Sequence, residues 1–119
     1  MFMNFKDLFS KLISFKTVSK TSNQNLVDFI KNYLSKFSIE TQNIEGAKGQ
    51  FNLYARIGPN QKGGILYSGH TDVVPTEGQN WDTDPFKLIK KKKRYYGRGT
   101  CDMKGFIATI LYLIPKIKI

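Results

Sequence analysis

The chain has 119 residues, 40% of them hydrophobic and 13% aromatic, which is enough apolar material for one packed domain and excludes a disordered chain. Its net charge of +10 comes from 19 basic and 9 acidic residues, but the basic residues are mostly scattered lysines, so we expect neither a nucleic-acid nor a membrane partner. The single cysteine, Cys101, excludes an internal disulfide, and the lack of a signal-peptide pattern or an apolar run of about 20 residues favours a cytoplasmic protein.

Two amphipathic helices are predicted near the start of the chain. The first covers residues 4–15, and the second begins after a polar stretch, where Ser22 or Asn23 can cap it. Apolar residues recur at the helical spacing, namely Phe5, Leu8, Phe9, Leu12 and Ile13 in the first helix and Leu26, Val27, Ile30, Tyr33, Leu34 and Phe37 in the second. The apolar faces of both helices are therefore expected to pack in a shared core.

Strands are predicted after these helices. Residues 38–44 alternate weakly between apolar and polar side chains, residues 51–57 alternate well, and Ile65–Tyr67 form an apolar run introduced by two glycines. A hairpin of residues 86–89 and 95–96 would place the basic run between them, Lys90 to Arg94, in a turn. The mixture of helices and strands predicts an α/β fold.

A last helix is predicted from Met103 to Ile114, ending at Pro115. It is mostly apolar, with an inward face expected to contain Phe106, Ile107, Ile110, Leu111 and Ile114. Such a helix belongs in the interior of a fold.

Polar residues suited to chemistry lie next to these elements. His70 follows the predicted strand 65–67, and Asp72 stands two positions on, so in an extended chain both side chains point to one side. Asp102 lies 32 residues beyond His70, where a glycine-rich turn enters the last helix. Histidine and aspartate are zinc-ligand types, and an aspartate beside a histidine can accept from its second ring nitrogen. The pattern therefore predicts that three polar groups can converge.

Each candidate also has a purely structural interpretation. His70 could be an ordinary hydrogen-bonded histidine, Asp72 could cap a turn, and Asp102 could cap the last helix. Cys101 could be a thiolate ligand or, more simply, a small buried residue. Trp81 could pin its loop on the core or contact a substrate. Residue types and spacing alone leave these alternatives open.

Two segments carry a resemblance to a known family. SGHTDVVP at 68–75 and GRGTCDMKG at 97–105 resemble, in order and separation, the motifs of metal-dependent amide hydrolases that include acetylornithine deacetylase, succinyl-diaminopimelate desuccinylase, aminoacylases and zinc carboxypeptidases. The likeness runs from about residue 5 to Pro115, and the segments GQNWDTDPF and GTCDMKGF are more similar to the acetylornithine deacetylase branch than to the desuccinylase.

The resemblance implies a fold and a set of site residues. The fold would be a three-layer α/β catalytic domain, a mixed sheet flanked by helices, of which residues 1–119 form an incomplete N-terminal part. His70 would bind one zinc ion, Asp102 would bridge two zinc ions about 3.5 Å apart, and Asp72 would be catalytic by orienting His70. Cobalt could replace zinc. A cis peptide between Asp102 and Met103 is also implied.

The implied reaction is hydrolysis of a small N-acylated amino acid. For acetylornithine deacetylase it converts N-acetyl-L-ornithine and water to L-ornithine and acetate in arginine biosynthesis, with desuccinylase, aminoacylase or carboxypeptidase activity as alternatives. Several features of the family have no counterpart in this sequence. They are a Glu-Glu pair, later acidic and histidine ligands, and the lid and dimerisation domain of the family's homodimers. We therefore expect a truncated chain that is inactive alone and holds metal weakly. The alternative to an enzyme is a noncatalytic binding protein with a basic surface.

Overall fold

Helices and two short antiparallel strand pairs are the regular elements of residues 2–117, the part of the chain that this computed structural model describes. In chain order the elements are α1 (Phe5–Ser14), α2 (Gln24–Ser35), β1 (Thr41–Glu45), β2 (Phe51–Ala55), β3 (Ile89–Lys91), β4 (Arg94–Tyr96), α3 (Lys104–Leu113) and a 3-10 helix (Ile114–Lys116). Strand β1 pairs with β2, and β3 pairs with β4. The predicted α/β class is confirmed.

Helices α1 and α2 form within one or two residues of their predicted limits. Asn4 caps α1, because its Oδ1 accepts from the N–H of Asp7 at 2.9 Å. At the start of α2 the hydroxyl of Ser22 accepts from the N–H of Gln24 at 3.2 Å, whereas Asn23 makes no side-chain cap. Asn23 therefore occupies the N-cap position while the side chain of Ser22 makes the capping hydrogen bond, and the Asn23 amide is left for other contacts.

The core lies where the apolar faces of α1, α2 and α3 meet. Helix α1 packs against α3, and α2 contacts β2. The buried members of the core are Leu8, Phe9, Leu12, Ile13, Leu26, Ile30, Tyr33, Leu34, Ala108, Leu111 and Ile114. All the residues of the predicted stripe of α2 except Phe37, which is half-buried, are buried, so the helical periodicity predicted these contacts.

The predicted strand at Ile65–Tyr67 is wrong. These three side chains are 79%, 80% and 58% exposed, and no strand pairing involves them within residues 2–117. An apolar run forms a buried strand only when neighbouring strands supply hydrogen bonds and other elements cover its faces. Val73, a few residues on, is instead joined to Val18 by an isolated parallel bridge.

The hairpin β3–β4 forms two to three residues later in the chain than predicted at its first strand. Its strands are Ile89–Lys91 and Arg94–Tyr96, so the basic run occupies both strand ends as well as the turn. Lys92 takes a left-handed conformation in that turn, with φ of 55°. The lysines therefore lie at an exposed hairpin tip, as the sequence indicated.

Helix α3 buries most of the face predicted for it, with Leu111 and Ile114 buried and Ile107 and Ile110 half-buried, and the exception is Phe106. Lys104, Ala108 and Leu111 are 0%, 0% and 4% exposed, while Phe106 is 39% exposed on the other side. Because nearly every residue of α3 is apolar, periodicity alone could not show that Phe106 lies outside the buried face. None of the helices in residues 2–117, α3 included, is long and apolar enough to cross a membrane.

Candidate functional site

His70 and Asp102 meet although 32 residues separate them. His70 Nε2 lies 2.8 Å from Asp102 Oδ1, and the two side chains are 48% and 84% exposed. An imidazole and a carboxylate at this distance share a charge-assisted hydrogen bond when the ring is protonated. The same two atoms are nitrogen and oxygen donors of the types that zinc takes. The structure thus brings both residues together, and their role as metal ligands stays a prediction.

Asp72 stands behind the His70 ring. His70 Nδ1 lies 3.1 Å from the backbone oxygen of Asp72 and 3.2 Å from its Oδ1. The other carboxylate oxygen, Oδ2, accepts from the hydroxyl of Ser19 at 2.6 Å. The carboxylate of Asp72 is therefore engaged with His70 and Ser19, as a residue that orients an imidazole must be.

Both ring nitrogens of His70 face oxygen acceptors. Partial burial of the ring opposes protonation, but the hydrogen bonds to the Asp72 backbone and to Asp102, together with the charges of the two carboxylates, raise the pKa of His70 above its usual 6.5. When the ring is protonated, Nε2 thus donates to Asp102 and Nδ1 donates to Asp72.

The polar stretch between α1 and α2 holds the segment that carries His70. The hydroxyl of Thr17 donates to the backbone oxygen of Thr71 at 2.6 Å, and the Asn23 amide donates to the hydroxyl of Thr71 at 3.0 Å. Backbone bonds of 2.9 Å join Val73 N to Thr17 O and Ser19 N to Val73 O. Sequence reasoning treated this stretch as a break between helices and missed its role. Its dense hydroxyl and amide side chains were the available signal.

A glycine turn positions Asp102 from the other side. Gly99 has φ of 88°, and a Cβ there would lie 2.8 Å from Val73 Cγ1. The N-cap of α3 is Met103, with no side-chain cap, so the alternative of Asp102 as a helix cap is wrong. The peptide from Asp102 to Met103 is cis. The N–H of His70 also approaches Met103 Sδ at 3.3 Å, which gives the two motifs a second contact.

Lys104 ties the start of α3 to the end of α1. Its side chain is 0% exposed, and Nζ donates to the backbone oxygen of Phe15 at 2.6 Å. Burial lowers the pKa of Lys104 from 10.5 to about 8. Sequence reasoning missed this contact, because lysine is rarely found fully buried.

Comparison with known proteins agrees with the two motifs. Residues 66–119 match the family described as Peptidase family M20/M25/M40. This segment of the chain is therefore similar to that family. Over 96% of its length the chain is 38% identical to acetylornithine deacetylase of Pasteurella multocida (strain Pm70), and over 90% it is 42% identical to that of Proteus mirabilis (strain HI4320). It covers 32% and 30% of those two proteins, so it spans about a third of the length of these curated relatives.

A solved structure supports the M20 fold. The crystal structure of human carnosine dipeptidase 1 matches with a TM-score of 0.72 at 19% identity, over 93% of this chain and 27% of that one. At 19% identity the match supports a shared fold and gives no information about function. The resemblance inferred from the motifs at 68–75 and 97–105 is confirmed, and the observed helices and small sheets are consistent with part of an M20 catalytic domain.

Two other residues of the matched segment, Cys101 and Trp81, had two possible roles each in the sequence. Cys101 is exposed, so the predicted buried role is wrong; it lies in the turn before α3, outside the packed helix face. Trp81 is half-buried, its ring 5.2 Å from the guanidinium of Arg98 and its Nε1 donating to Gln79 Oε1 at 3.0 Å. Trp81 therefore pins its loop to the glycine turn through Arg98.

The donors present fit zinc in kind and fall short in number. An imidazole nitrogen and a carboxylate oxygen are suitable ligands, yet zinc prefers about four. Within residues 2–117 no group of three His, Cys, Asp or Glu side chains is arranged to hold a metal ion. As predicted ligands, His70 and Asp102 would supply two of the donors that zinc prefers.

Proposed function

We propose that residues 1–119 form the N-terminal part of the catalytic domain of a metal-dependent amide hydrolase with acetylornithine deacetylase activity. The observation that carries the proposal is the 2.8 Å approach of His70 Nε2 to Asp102 Oδ1, with Asp72 behind the ring. Likeness to the Pasteurella multocida and Proteus mirabilis enzymes supports the substrate, N-acetyl-L-ornithine, which water splits into L-ornithine and acetate. A place in arginine biosynthesis and a cytoplasmic location belong to the same proposal.

The chain's own residues have distinct roles in this proposal. His70 offers Nε2 to zinc or cobalt, Asp102 offers a carboxylate able to bridge two ions, and Asp72 accepts from Nδ1 so that Nε2 keeps its lone pair. The chemistry supplied by such metals is Lewis-acid activation of water and of the amide carbonyl. Because His70 Nε2 must lose a proton before it can bind metal, the affinity should rise with pH through the range where His70 titrates.

The remaining ligands, the general base and any dimerisation domain would lie outside residues 2–117. With two side-chain donors we expect the 119-residue chain to bind zinc weakly and to show no hydrolysis by itself. The intact site would belong to the whole protein.

A chimera tests the proposed function. The 90% of this chain that aligns with the Proteus mirabilis acetylornithine deacetylase would replace the aligned segment of that enzyme, and release of acetate from N-acetyl-L-ornithine would be measured. We expect activity, with a loss of at least about 100-fold in His70→Asn and Asp102→Asn, since loss even of outer contacts of metal ligands typically costs 10- to 100-fold. Glu77→Gln, at an exposed carboxylate, is the control.

The outcomes separate the alternatives. Faster hydrolysis of N-succinyl-diaminopimelate than of N-acetyl-L-ornithine, lost if the chain's segment is exchanged back, would move the proposal to the desuccinylase. A folded chimera inactive on both substrates would refute the hydrolase assignment and favour the noncatalytic alternative.

A further inference from the structure

We propose that Ser19 is a positioning residue, whose hydroxyl fixes the Asp72 carboxylate and thereby determines which His70 nitrogen carries the proton. This inference rests on the proposed metal-binding role of His70. It adds a residue from the polar stretch before α2 that no motif of the sequence identified.

Three contacts in series connect Ser19 to Asp102. Ser19 Oγ donates to Asp72 Oδ2 at 2.6 Å, Asp72 Oδ1 lies 3.2 Å from His70 Nδ1, and His70 Nε2 lies 2.8 Å from Asp102 Oδ1. The terminal torsion of an aspartate is broad, so a carboxylate held through one oxygen can turn. The hydrogen bond from Ser19 to the second oxygen restricts that rotation and keeps Oδ1 directed at the ring.

Ser19 is itself fixed to the segment it orients. Its N–H donates to the backbone oxygen of Val73 at 2.9 Å, and its hydroxyl lies 3.3 Å from the same oxygen. Val18 and Val73 form a parallel bridge, and Val73 N donates to Thr17 O at 2.9 Å. The hydroxyl is therefore presented from a braced backbone to Asp72, the neighbour of Val73, which is how a supporting residue makes a site geometrically precise.

The consequence concerns the neutral imidazole of His70. Its two tautomers place the proton either on Nδ1, facing Asp72, or on Nε2, facing Asp102. The metal-binding form needs the proton on Nδ1, and two oxygens of Asp72 within 3.2 Å of Nδ1 favour that form. Asp102 Oδ1, 2.8 Å from Nε2, favours the other tautomer, so the hold of Asp72 on Nδ1 sets the balance. Without Ser19 the carboxylate oxygen can leave Nδ1, and the tautomer with the Nε2 proton gains population.

The lone histidine makes this measurable in the purified 119-residue chain. Imidazole ¹⁵N shifts report the tautomer ratio in metal-free buffer at a pH where His70 is neutral. We expect Ser19→Ala to lower the ratio of the Nδ1–H to the Nε2–H tautomer roughly three- to tenfold, less than the 10- to 100-fold cost in affinity that is typical when a metal ligand loses its outer contact, because Asp72 itself remains. Ser19→Thr, which keeps the hydroxyl, should stay near wild type, and Ser19→Val, its counterpart without a hydroxyl, should resemble Ser19→Ala.

A second readout is the dissociation constant for Zn²⁺, followed on the same signals. Ser19→Ala should weaken binding by a similar factor, while Ser35→Ala, which removes a hydroxyl that donates to Asn32 at the end of α2, should leave both readouts unchanged. Thermal unfolding shows whether each variant is folded, and if Ser19→Ala is not, the Ser19→Thr and Ser19→Val pair decides.

The outcomes distinguish this inference from the proposed function. An unchanged tautomer ratio in folded Ser19→Ala, or in folded Ser19→Val, would overturn the positioning role. A wild-type chain that binds no Zn²⁺ while the tautomer ratio still responds to Ser19 would count against the metal site and leave the positioning of Asp72 supported.

Discussion

The hydroxyl of Tyr33 donates to the backbone oxygen of Leu111 at 3.2 Å, joining α2 to α3 through the core. In a continuing helix that oxygen would accept from the N–H of residue 115, but Pro115 has none. Tyr33 is only 3% exposed, so water has little access to replace its hydroxyl. This tyrosine thus completes a helix end that the proline leaves without a donor.

Removing that hydroxyl should destabilise the fold. We expect Tyr33→Phe to lower the free energy of unfolding by about 1–2 kcal/mol, because a buried carbonyl loses its partner while the ring is retained. Urea denaturation measures the change, and Tyr54→Phe is the control, since Tyr54 is 44% exposed on β2. Equal stabilities of the two variants would show that the Tyr33 hydrogen bond contributes nothing.

Lys104 gives the chain a stability that depends on pH. Its pKa is about 8 in the folded protein and 10.5 when unfolded, so between these values the unfolded chain binds more protons. The free energy of unfolding should therefore rise as pH increases from about 8 to 10, by up to about 1.4 kcal/mol per pH unit. This gain should be lost again as the pH is lowered to about 8.

Urea denaturation in metal-free buffer at several pH values in this window checks the slope. Lys104→Met should flatten it, while Lys6→Met, at an exposed position of α1, should keep it. Since burial raises the pKa of Tyr33 above 10, its ionisation contributes little in this range. A slope that survives Lys104→Met would assign the effect to another group.

The sequence predicted those elements whose signal is local. Helices α1 and α2 pair an apolar face with a polar one, so their periodicity gave both their limits and their buried residues. Helix α3 lacks that contrast, so the sequence placed Leu111 and Ile114 in the core correctly but also assigned exposed Phe106 to the buried face. The run Ile65–Tyr67 has the composition of a strand, but whether it pairs depends on distant segments that its own residues do not describe.

The site residues, too, were predicted where the signal is local and missed where it is distant. Asp72 lies near His70 because they are two positions apart, and Asp102 was placed beside them through the motif that resembles a family. Ser19 was missed because its partner Asp72 is 53 positions away and no local pattern encodes such a contact. Exposed Cys101 was misjudged because cysteine is usually buried, whereas here the turn before α3 displays it.

His70 should titrate above 6.5, the usual pKa of histidine, because Asp72 and Asp102 favour its protonated form over the opposing effect of burial. A ¹H NMR titration of the one histidine in metal-free buffer measures the midpoint. Asp102→Asn should move it downward, since the variant removes a carboxylate 2.8 Å from Nε2. Asp28→Asn, on α2, should not move it. A wild-type midpoint at or below 6.5 would contradict the observed geometry.

Gly99 and Gly64 offer a comparison between backbone strain and steric contact. Both have positive φ, 88° and 112°, but a Cβ at Gly64 would meet nothing within 4 Å, whereas at Gly99 it would lie 2.8 Å from Val73 Cγ1 and 3.3 Å from Lys104 Cδ. We expect Gly64→Ala to cost about 1 kcal/mol of stability, from conformation alone. Gly99→Ala should cost about 2–4 kcal/mol, because overpacking adds to the strain.

The Gly99→Ala substitution should also change the geometry of the site formed by His70, Asp72 and Asp102. Val73 adjoins Asp72, and Lys104 lies two residues after Asp102, so a methyl group between Val73 and Lys104 would press the two motifs apart. The contact between His70 and Asp102 should then lengthen, and the His70 midpoint should fall in Gly99→Ala but not in Gly64→Ala. Gly64→Ala introduces the backbone strain without the contact to Val73. If the two variants lose the same stability and have the same His70 titration midpoint, the glycine turn serves only its own conformation and does not position Asp102.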